Sequence, residues 1–486
     1  MAERDLKTTT IKSLFWKLFE QGGTAVVTLV VQVVMARLLA PAEFGVLAIM
    51  LVFVNVGNVI VQSGLNTAII HDPDVTERDY STVFWMSFTI SVVLYLAVFV
   101  FSPAIAGFYQ IESAITPLRV LVLVLIVNSY NSIQEAIVAR NFEFQKTSRA
   151  TWAAAIVSGV AGVWAANAGA GLWALVIQQL LQQITKCTVL ALQVPWKPQL
   201  VFDRARAVVL FRFGWKLLAS GVMDQAYQSL SSLFIGAVFN KTDLGYVDNG
   251  KKYPYYLGAM LDGTIQPVML SAVSSVQDNI EHVKRLTRRA LKTSTFVIIP
   301  SMTAFALVAE PLVLILFGEK WLPCVPFLRM YCFIYALLPI HTTNLQVLNG
   351  MGRSDLFLKL EVYKKIIGLS IMCFTVFVMR DLYVIVGGYI INGIIATFIN
   401  AAPNKKVIGY SYAEQIRDIL PAFGLAAVAA VAAAPLSGLA MGPLAMVLVQ
   451  CVVFSVVYLA VAAILRVEEF TYLVNTAMGF VRRRKG

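Results

Sequence analysis

The stretch LLAPAEFGVLAIMLVFVNVGNVIVQ, residues 38–62, joins a short turn to a long apolar run and decides the class of this chain. The apolar run continues to residue 70, so it exceeds the roughly 20 residues that a helix needs to cross a bilayer. The composition agrees, because 58% of the 486 residues are hydrophobic and only 14% are charged, whereas a soluble domain has about 25% charged residues. The sequence therefore predicts an all-α integral membrane protein.

Similar apolar runs recur along the whole chain and predict about fourteen transmembrane helices. An even number of helices places both termini on the same side of the membrane. The predicted spans cover residues 14–38, 43–70, 81–105, 115–138, 149–167, 171–193, 213–238, 244–274, 293–316, 325–349, 362–379, 382–401, 419–435 and 441–465.

Positive charges give the predicted orientation of these helices. Of the 39 Lys and Arg residues, the outer loops and helix ends contain only Arg37, Lys241, Lys320 and Arg380. Most of the others lie in loops and tails on the opposite side, and loops rich in Lys and Arg face the cytoplasm. Both termini are therefore predicted to be cytoplasmic. Anionic lipid of the inner leaflet accounts for the net charge of +12, and nucleic acid is not an expected partner.

The opening stretch has a counterpart about 200 residues later in the sequence. Phe44–Gly45 follows the turn after helix one, and Leu244–Gly245 follows the turn after helix seven. Trp16 and Trp215 begin these two helices in the same way. Six helices per repeat keep both halves in one orientation, so we predict two parallel six-helix repeats around a central cavity. The predicted lobes cover 1–200 and 201–410, and two additional C-terminal helices with a basic tail cover 411–486.

The sequence lacks the usual marks of an enzyme or a metal site. The five cysteines show no CxxC spacing and the three histidines are scattered, so we predict no disulfide, no metal and no other cofactor. The outer loops, such as residues 40–43 and 240–243, are too short to hold a catalytic domain. The sequence also contains no GxxxxGK[ST] nucleotide-binding motif. We therefore do not expect this chain to be an enzyme.

Charged residues in the eighth predicted helix are the main candidates for substrate binding. Asp248 precedes Lys251 by three residues and Lys252 by four, so the three share one helix face near its outer end. They form either an intrahelical ion pair with the lysines directed outward, or a cationic patch on the cavity wall that binds phosphate. Asp262 and Gln266 lie further along the same helix. Asp262 is predicted near the middle of the bilayer, where it lines the cavity, packs in the core, or couples transport to protons.

Polar residues on three other predicted helices are further candidates for the cavity. Amides in such positions either bind sugar hydroxyls or hydrogen-bond neighbouring helices. Arg37, at the outer end of helix one, either lines the cavity or anchors the helix at the membrane interface. The other candidates are Asp224, Gln225 and Gln228 on helix seven and Asn55, Asn58 and Gln62 on helix two.

Several stretches resemble a known family of membrane transporters. They include VMARLLAPAEFGVLAI at 34–49, GAGLWALVIQQL at 169–180 and LGYVDNGKKYPYYLGAMLDGTIQPVMLSAVSSVQDN at 244–279. The chain resembles the polysaccharide transporters, or Wzx-type repeat-unit flippases, of the multidrug/oligosaccharidyl-lipid/polysaccharide exporter superfamily. Val247 and Asp248 stand where members of this family usually have Tyr and Asn. The resemblance extends over residues 12 to about 410 and rests on the set of stretches and their order.

The resemblance implies a flippase that works by alternating access. Such proteins move an undecaprenyl-diphosphate-linked oligosaccharide across the bacterial cytoplasmic membrane, for O-antigen, capsule or exopolysaccharide synthesis. The implied partners are this substrate, membrane lipids, and the polymerase and glycosyltransferases of the same pathway. A drug or cation antiporter of the same superfamily is the alternative, but it would favour an acidic cavity over paired lysines. A membrane glycosyltransferase or polymerase would need a large outer loop.

The predicted orientation can be tested by cysteine labelling in intact cells. In a variant whose native cysteines are replaced, Asn240→Cys should react with a membrane-impermeant thiol reagent, because residues 240–243 are predicted to be outside. Lys405→Cys, predicted to be cytoplasmic, is the matched control and should react only after the cells are opened. Labelling of Lys405→Cys but not of Asn240→Cys in intact cells would contradict the orientation.

Overall fold

A computed structural model describes residues 23–24, 27–62, 64–72 and 74–483, and these residues form helices joined by short turns, with no strand. The first predicted span lies partly outside the described residues, as does Trp16 of the repeat. Packing divides the chain into two units, residues 1–245 and 246–486. The helices of the first unit are α1 (Val27–Leu38), α2 (Pro41–Gln62), α3 (Leu65–His71), α4 (Glu77–Phe108), α5 (Ile115–Leu121), α6 (Val124–Arg140), α7 (Phe144–Asn167), α8 (Leu172–Gln193) and α9 (Arg204–Val238).

Helix α10 (Lys241–Ser275) begins in the first unit and continues into the second. The lobes 1–200 and 201–410 are derived from the sequence repeat and stay a prediction. The two units are defined by packing between residues and therefore have a different boundary, at residue 245. The other helices of the second unit are α11 (Ile280–Leu307), α12 (Ala309–Leu316), α13 (Val325–Ala336), α14 (Leu338–Gly350), α15 (Ser354–Phe374), α16 (Leu382–Ala401), α17 (Asn404–Ile408), α18 (Tyr412–Ala433), α19 (Pro443–Ile464) and α20 (Glu468–Arg483).

Ten helical segments of the described chain are long and apolar enough to cross a membrane. Each overlaps one predicted span, so the prediction of a multi-pass helical membrane protein is confirmed. Helices α8, α9 and α10 occupy three further predicted spans but fall outside this set. Charged and amide side chains interrupt them, such as Lys186 in α8 and Asp224 in α9. The arrangement of fourteen spans in two repeats stays a prediction.

An arginine at the start of α9 holds several elements of the first unit together. The guanidinium of Arg206 lies 2.8 Å from Oδ1 of Asp79 in α4 and 2.7 Å from Oδ2 of Asp72, which follows α3. Asp79 is only 2% exposed, and it also accepts a hydrogen bond from the backbone N–H of Thr76. The backbone N–H of Asp74 and the Arg206 guanidinium hold the pKa of Asp72 below its ordinary value, so this carboxylate stays charged.

Two glycines, 200 residues apart, let the first turns of α2 and α10 touch within the first unit. A Cβ atom on Gly45 would lie 1.7 Å from the carbonyl oxygen of Lys241, and one on Gly245 would lie 2.1 Å from the carbonyl oxygen of Pro41. Both distances are far inside van der Waals contact, so only glycine fits at either position. Small residues are the usual means by which membrane helices approach closely.

In the second unit, the two helices predicted to lie outside the repeat pack on α11. Asp418 of α18 accepts two hydrogen bonds of 2.7 Å from Arg288 of α11 and a third from the Tyr410 hydroxyl. The hydroxyl of Tyr458 in α19 donates to the carbonyl oxygen of Phe296 at 2.9 Å. Polar contacts therefore fix both additional helices to a helix of the proposed second lobe.

We predict that Gly45→Ala destabilises the protein, because the new methyl group must push the α2 and α10 backbones apart. Overpacking of this kind costs about 1–3 kcal/mol, so the melting temperature of the purified protein in detergent should fall. Gly424→Ala in α18 is the matched control, because a Cβ atom there would meet nothing within 4 Å. The control should be neutral or slightly stabilising, since Ala is a better helix former than Gly. Equal melting temperatures for Gly45→Ala and the unmodified protein would refute the contact.

Candidate functional site

The charged cluster on α10 is half-buried. Asp248, Lys251 and Lys252 are each partly buried. The negative charge of Asp248 acts on the Lys252 ammonium, one helical turn further along α10. The structure therefore brings the predicted acid and this predicted amine together on one face of the helix.

Tyrosines surround this cluster, and two of them come from α13, which the sequence did not indicate. Asp248 lies within electrostatic range of Tyr331 and Tyr335. The ring of Tyr335 lies 5.6 Å from the ring of Tyr255 on α10 and stacks on that of Tyr331 at 6.1 Å. Tyr331 and Tyr335 are four residues apart, and this spacing on a helix could have identified them as a pair. Tyr331 is buried, whereas Tyr255 and Tyr335 are at least partly accessible and each present an apolar ring and a hydroxyl, which suits a ligand with sugar hydroxyls.

The second acid of α10, Asp262, lies further along the helix, about 16.5 Å from Lys251 by helical rise. The side chain of Thr342 on α14 hydrogen-bonds to Asp262. The other carboxylate oxygen, Oδ1, is buried without a hydrogen-bond partner among the described residues. Gln266, one turn further, is exposed at the surface of the second unit. Asp262 therefore has an unused acceptor, whereas Gln266 has room for a ligand or a lipid.

The candidates on α9 contact their own helix. Gln228 donates its amide N–H to Oδ2 of Asp224 at 2.8 Å, and Gln225 donates to the Ser229 hydroxyl at 3.1 Å. Asp224 and Gln228 are exposed at the surface of the first unit. Both of these bonds lie within α9 itself.

The candidates on α2 divide into two kinds. Asn58 accepts a hydrogen bond of 2.7 Å from the side chain of Asn128 on α6, so Asn58 serves helix packing. Asn55 is exposed on the first unit, and Gln62 is half-buried at the last residue of α2. Arg37 is exposed near the end of α1. Of the polar stripe predicted on α2, only Asn58 is engaged with a neighbouring helix by a hydrogen bond that the structure describes.

No group of three His, Cys, Asp or Glu residues in the described ranges is arranged to hold a metal ion. The candidate residues for substrate binding fall into two sets, one in each unit. The second unit holds Asp248, Lys251, Lys252, Asp262 and Gln266 on a single helix, and the first unit holds Arg37, Asn55, Asn58, Gln62, Asp224, Gln225 and Gln228 on three helices.

The helical multi-pass fold defines a polytopic membrane protein, and the ionisable side chains inside its helices mark a candidate functional site. A family model described as "Polysaccharide biosynthesis protein" matches residues 34–326, more than half of the chain. The chain belongs to this family, and the resemblance to polysaccharide transporters that the sequence predicted is confirmed.

Named relatives and a solved structure extend this similarity. The chain is 22% identical over 345 residues to the succinoglycan biosynthesis transport protein ExoT of Rhizobium meliloti (strain 1021), covering 71% of this chain and 70% of the relative. It is 22% identical over 423 residues to the lipopolysaccharide biosynthesis protein WzxC of Escherichia coli (strain K12), covering 85% of each. The structure of the lipid II flippase MurJ in an inward closed conformation matches with a TM-score of 0.77 at 13% identity, covering 94% of this chain and 98% of that chain. The chain therefore shares the fold of that flippase.

We predict that Asn58→Ala lowers the melting temperature, because it leaves the side chain of Asn128, which is 2% exposed, without its partner. The expected loss is about 1 kcal/mol. Asn55→Ala, three residues earlier on the same helix, is the matched control and should leave the melting temperature unchanged, because Asn55 is exposed. If Asn55 lines the substrate path, the same control should lower transport. Equal stability of the two variants would show that the Asn58–Asn128 bond contributes nothing to packing.

Proposed function

We propose that this protein is a flippase for an undecaprenyl-diphosphate-linked oligosaccharide in the bacterial cytoplasmic membrane. Membership of the polysaccharide biosynthesis family supports a role in making a cell-surface or extracellular polysaccharide. Two relatives are named for the biosynthesis of succinoglycan and lipopolysaccharide, and the first of these is named as a transport protein. The fold shared with a lipid II flippase supports a lipid-linked substrate.

The observation that carries this proposal is the cationic and aromatic cluster on α10 and α13. In the predicted span that α10 occupies, a charge would cost about 2.5 kcal/mol or more, so two lysines there need a compensating role. A diphosphate would provide one, because ammonium groups bind phosphate oxygens as point charges. Asp248 would orient the amine of Lys252, and the rings of Tyr255 and Tyr335 would contact the first sugars. The cluster thus offers partners to both parts of the substrate at their junction.

The proposed mechanism is alternating access between two six-helix lobes, residues 1–200 and 201–410. Each lobe would rock around the substrate as a rigid bundle, so a diphosphate that enters from the inner leaflet would be released to the outer one. No step of this cycle makes or breaks a covalent bond in the substrate. We further propose that both termini are cytoplasmic and that the polymerase and glycosyltransferases of the same pathway supply and consume the substrate.

Asp262 is the proposed link to an ion gradient. Its carboxylate oxygen without a described partner could accept a proton or a sugar hydroxyl. In the coupled form of the proposal, the acid takes up a proton on one side of the membrane and releases it on the other. In the uncoupled form, Asp262 only binds sugar, and removal of substrate on the outer side drives transport.

We predict that the double variant Lys251→Gln, Lys252→Gln loses flipping in proteoliposomes, because glutamine keeps most of the side-chain length but not the charge. The measurement is the fraction of undecaprenyl-diphosphate-linked oligosaccharide that an impermeant sugar-modifying reagent can reach with time. Lys251→Arg, Lys252→Arg should keep part of the activity, since both charges remain. In the unmodified protein, undecaprenyl diphosphate without sugar should compete with the lipid-linked oligosaccharide more strongly than undecaprenyl monophosphate does.

Lys364→Gln, Lys365→Gln on α15 is the matched control, because it removes the same two charges from another helix. A double glutamine variant at 251 and 252 that flips normally would contradict the phosphate role and leave the intrahelical ion pair. A cation antiporter would behave differently: it would transport an organic cation, and removing the two lysines would improve rather than abolish that transport.

A further inference from the structure

A cationic cleft lies within the second unit, between the first turns of α11 and helix α20. Its volume is about 630 Å³. We call it the α11–α20 cleft, and its charged walls consist of Arg285, Arg288, Arg289, Lys292, Glu468 and Glu469. None of these residues belongs to the candidate substrate site on α10.

Three carboxylates neutralise two of the four cations. Lys292 bridges both acids of α20, with its Nζ 2.8 Å from Oε2 of Glu468 and 2.5 Å from Oε1 of Glu469. Arg288 is held by Asp418 of α18 in a bidentate pair, with two contacts of 2.7 Å. Four cations against three carboxylates leave one net positive charge on the described side chains.

The two remaining arginines lie on one face of α11, four residues apart. Neither Arg285 nor Arg289 has an ion-pair partner among the residues that the structure describes, and both are exposed at the cleft. The guanidinium of Arg289 stacks on the ring of Tyr472 in α20, 4.2 Å from its centroid. Stacking fixes the plane of a guanidinium and leaves its N–H edge open, which is the geometry that binds phosphate oxygens in pairs.

The charge balance selects among phosphate ligands. A phosphodiester carries one negative charge, so it would neutralise the one net positive charge of the cleft. A diphosphate or a free phosphate dianion would leave an excess of negative charge beside Glu468 and Glu469.

The surroundings of the cleft favour a lipid as the source of that phosphodiester. Val474 and Met478, four residues apart on α20, are large apolar side chains that are exposed, and α11 continues into an apolar segment long enough to cross a membrane. A charged first half of α11 next to an amphipathic helix is typical of the membrane interface. With the predicted orientation, this end of α11 faces the cytoplasmic leaflet, where anionic lipids attract Lys and Arg.

We propose that the α11–α20 cleft binds the phosphodiester headgroup of an anionic phospholipid of the inner leaflet through Arg285 and Arg289. The bound lipid would fix α20 to α11 and hold the apolar side of α20 against the membrane. This site is separate from the substrate path and does not depend on what the protein transports.

The test uses the full-length protein purified in a neutral detergent. Phosphatidylglycerol should raise the melting temperature in a saturable way, whereas phosphatidylcholine, whose headgroup has no net charge, should not. In Arg285→Gln, Arg289→Gln the apparent affinity for phosphatidylglycerol should fall about 25-fold, because each charge near a lipid surface contributes about fivefold. The matched control is Lys405→Gln, Lys406→Gln on α17, which removes two exposed charges elsewhere and should keep the wild-type response.

Each other outcome overturns the proposal in a distinct way. Equal responses of the arginine variant and the wild type would show that the cleft binds no lipid, and equal losses in both double variants would show a diffuse surface attraction. A full response to inorganic phosphate at matched ionic strength would show a phosphate site without lipid. Stronger competition by undecaprenyl diphosphate than by phosphatidylglycerol would assign the cleft to the substrate. Arg285→Gln alone leaves the Arg289–Tyr472 stack intact, and it should lower the apparent affinity for phosphatidylglycerol about fivefold. This single variant is the control for misfolding of the double variant.

Discussion

In lipid, an apolar helix gains no hydrophobic free energy when it turns an apolar face toward another helix, because the lipid tails are equally apolar. Close backbone approach and polar contacts therefore decide which helices associate. This constraint governs both units of the protein. Gly45 and Gly245 bring two helix starts into backbone contact in the first unit, and no larger residue fits there. Arg206 joins α9 to Asp79 of α4, and Arg288 joins α11 to Asp418 of α18. Each of the two arginines thus connects helices that are distant in the sequence.

Hydrogen bonds between polar side chains of different helices are a further part of this packing. Asn58 is hydrogen-bonded to Asn128 on another helix, and Asn344 is hydrogen-bonded to Gln415 at 2.9 Å. On α10, Asp262 keeps a buried carboxylate oxygen without a described partner, and packing residues such as Asn128 and Gln415 also keep one such atom each. Polar groups of this kind are costly in a membrane protein unless a ligand or water completes them. The proposal that α10 lies on the substrate path therefore rests on the amines, the acid and the tyrosines that lie together there, and not on this oxygen alone.

With both proposals, the protein would bind phosphate groups at two chemically different sites. On α10, two amines lie half-buried beside an acid and several tyrosines, which suits a diphosphate attached to sugar. In the α11–α20 cleft, two arginines are exposed beside acidic neighbours, and the single net charge suits a phosphodiester. Lysine offers a compact point charge that moves easily, whereas a stacked guanidinium offers a fixed fork. A transported ligand requires the first property and a resident lipid the second.

The sequence by itself determined the class of the protein, its family and most of its helices. Long apolar runs must become helices in lipid, because only helices satisfy every backbone group within the segment. It also identified Asp248 and Lys252 as neighbours, since a spacing of four residues fixes them on one face of any helix. The tertiary structure alone decided that Tyr335 of α13 lies beside Tyr255, that Asn58 meets Asn128, and that Arg289 stacks on Tyr472. Periodicity specifies which face of a helix a residue occupies, but the partner of that face depends on packing between segments far apart in the chain.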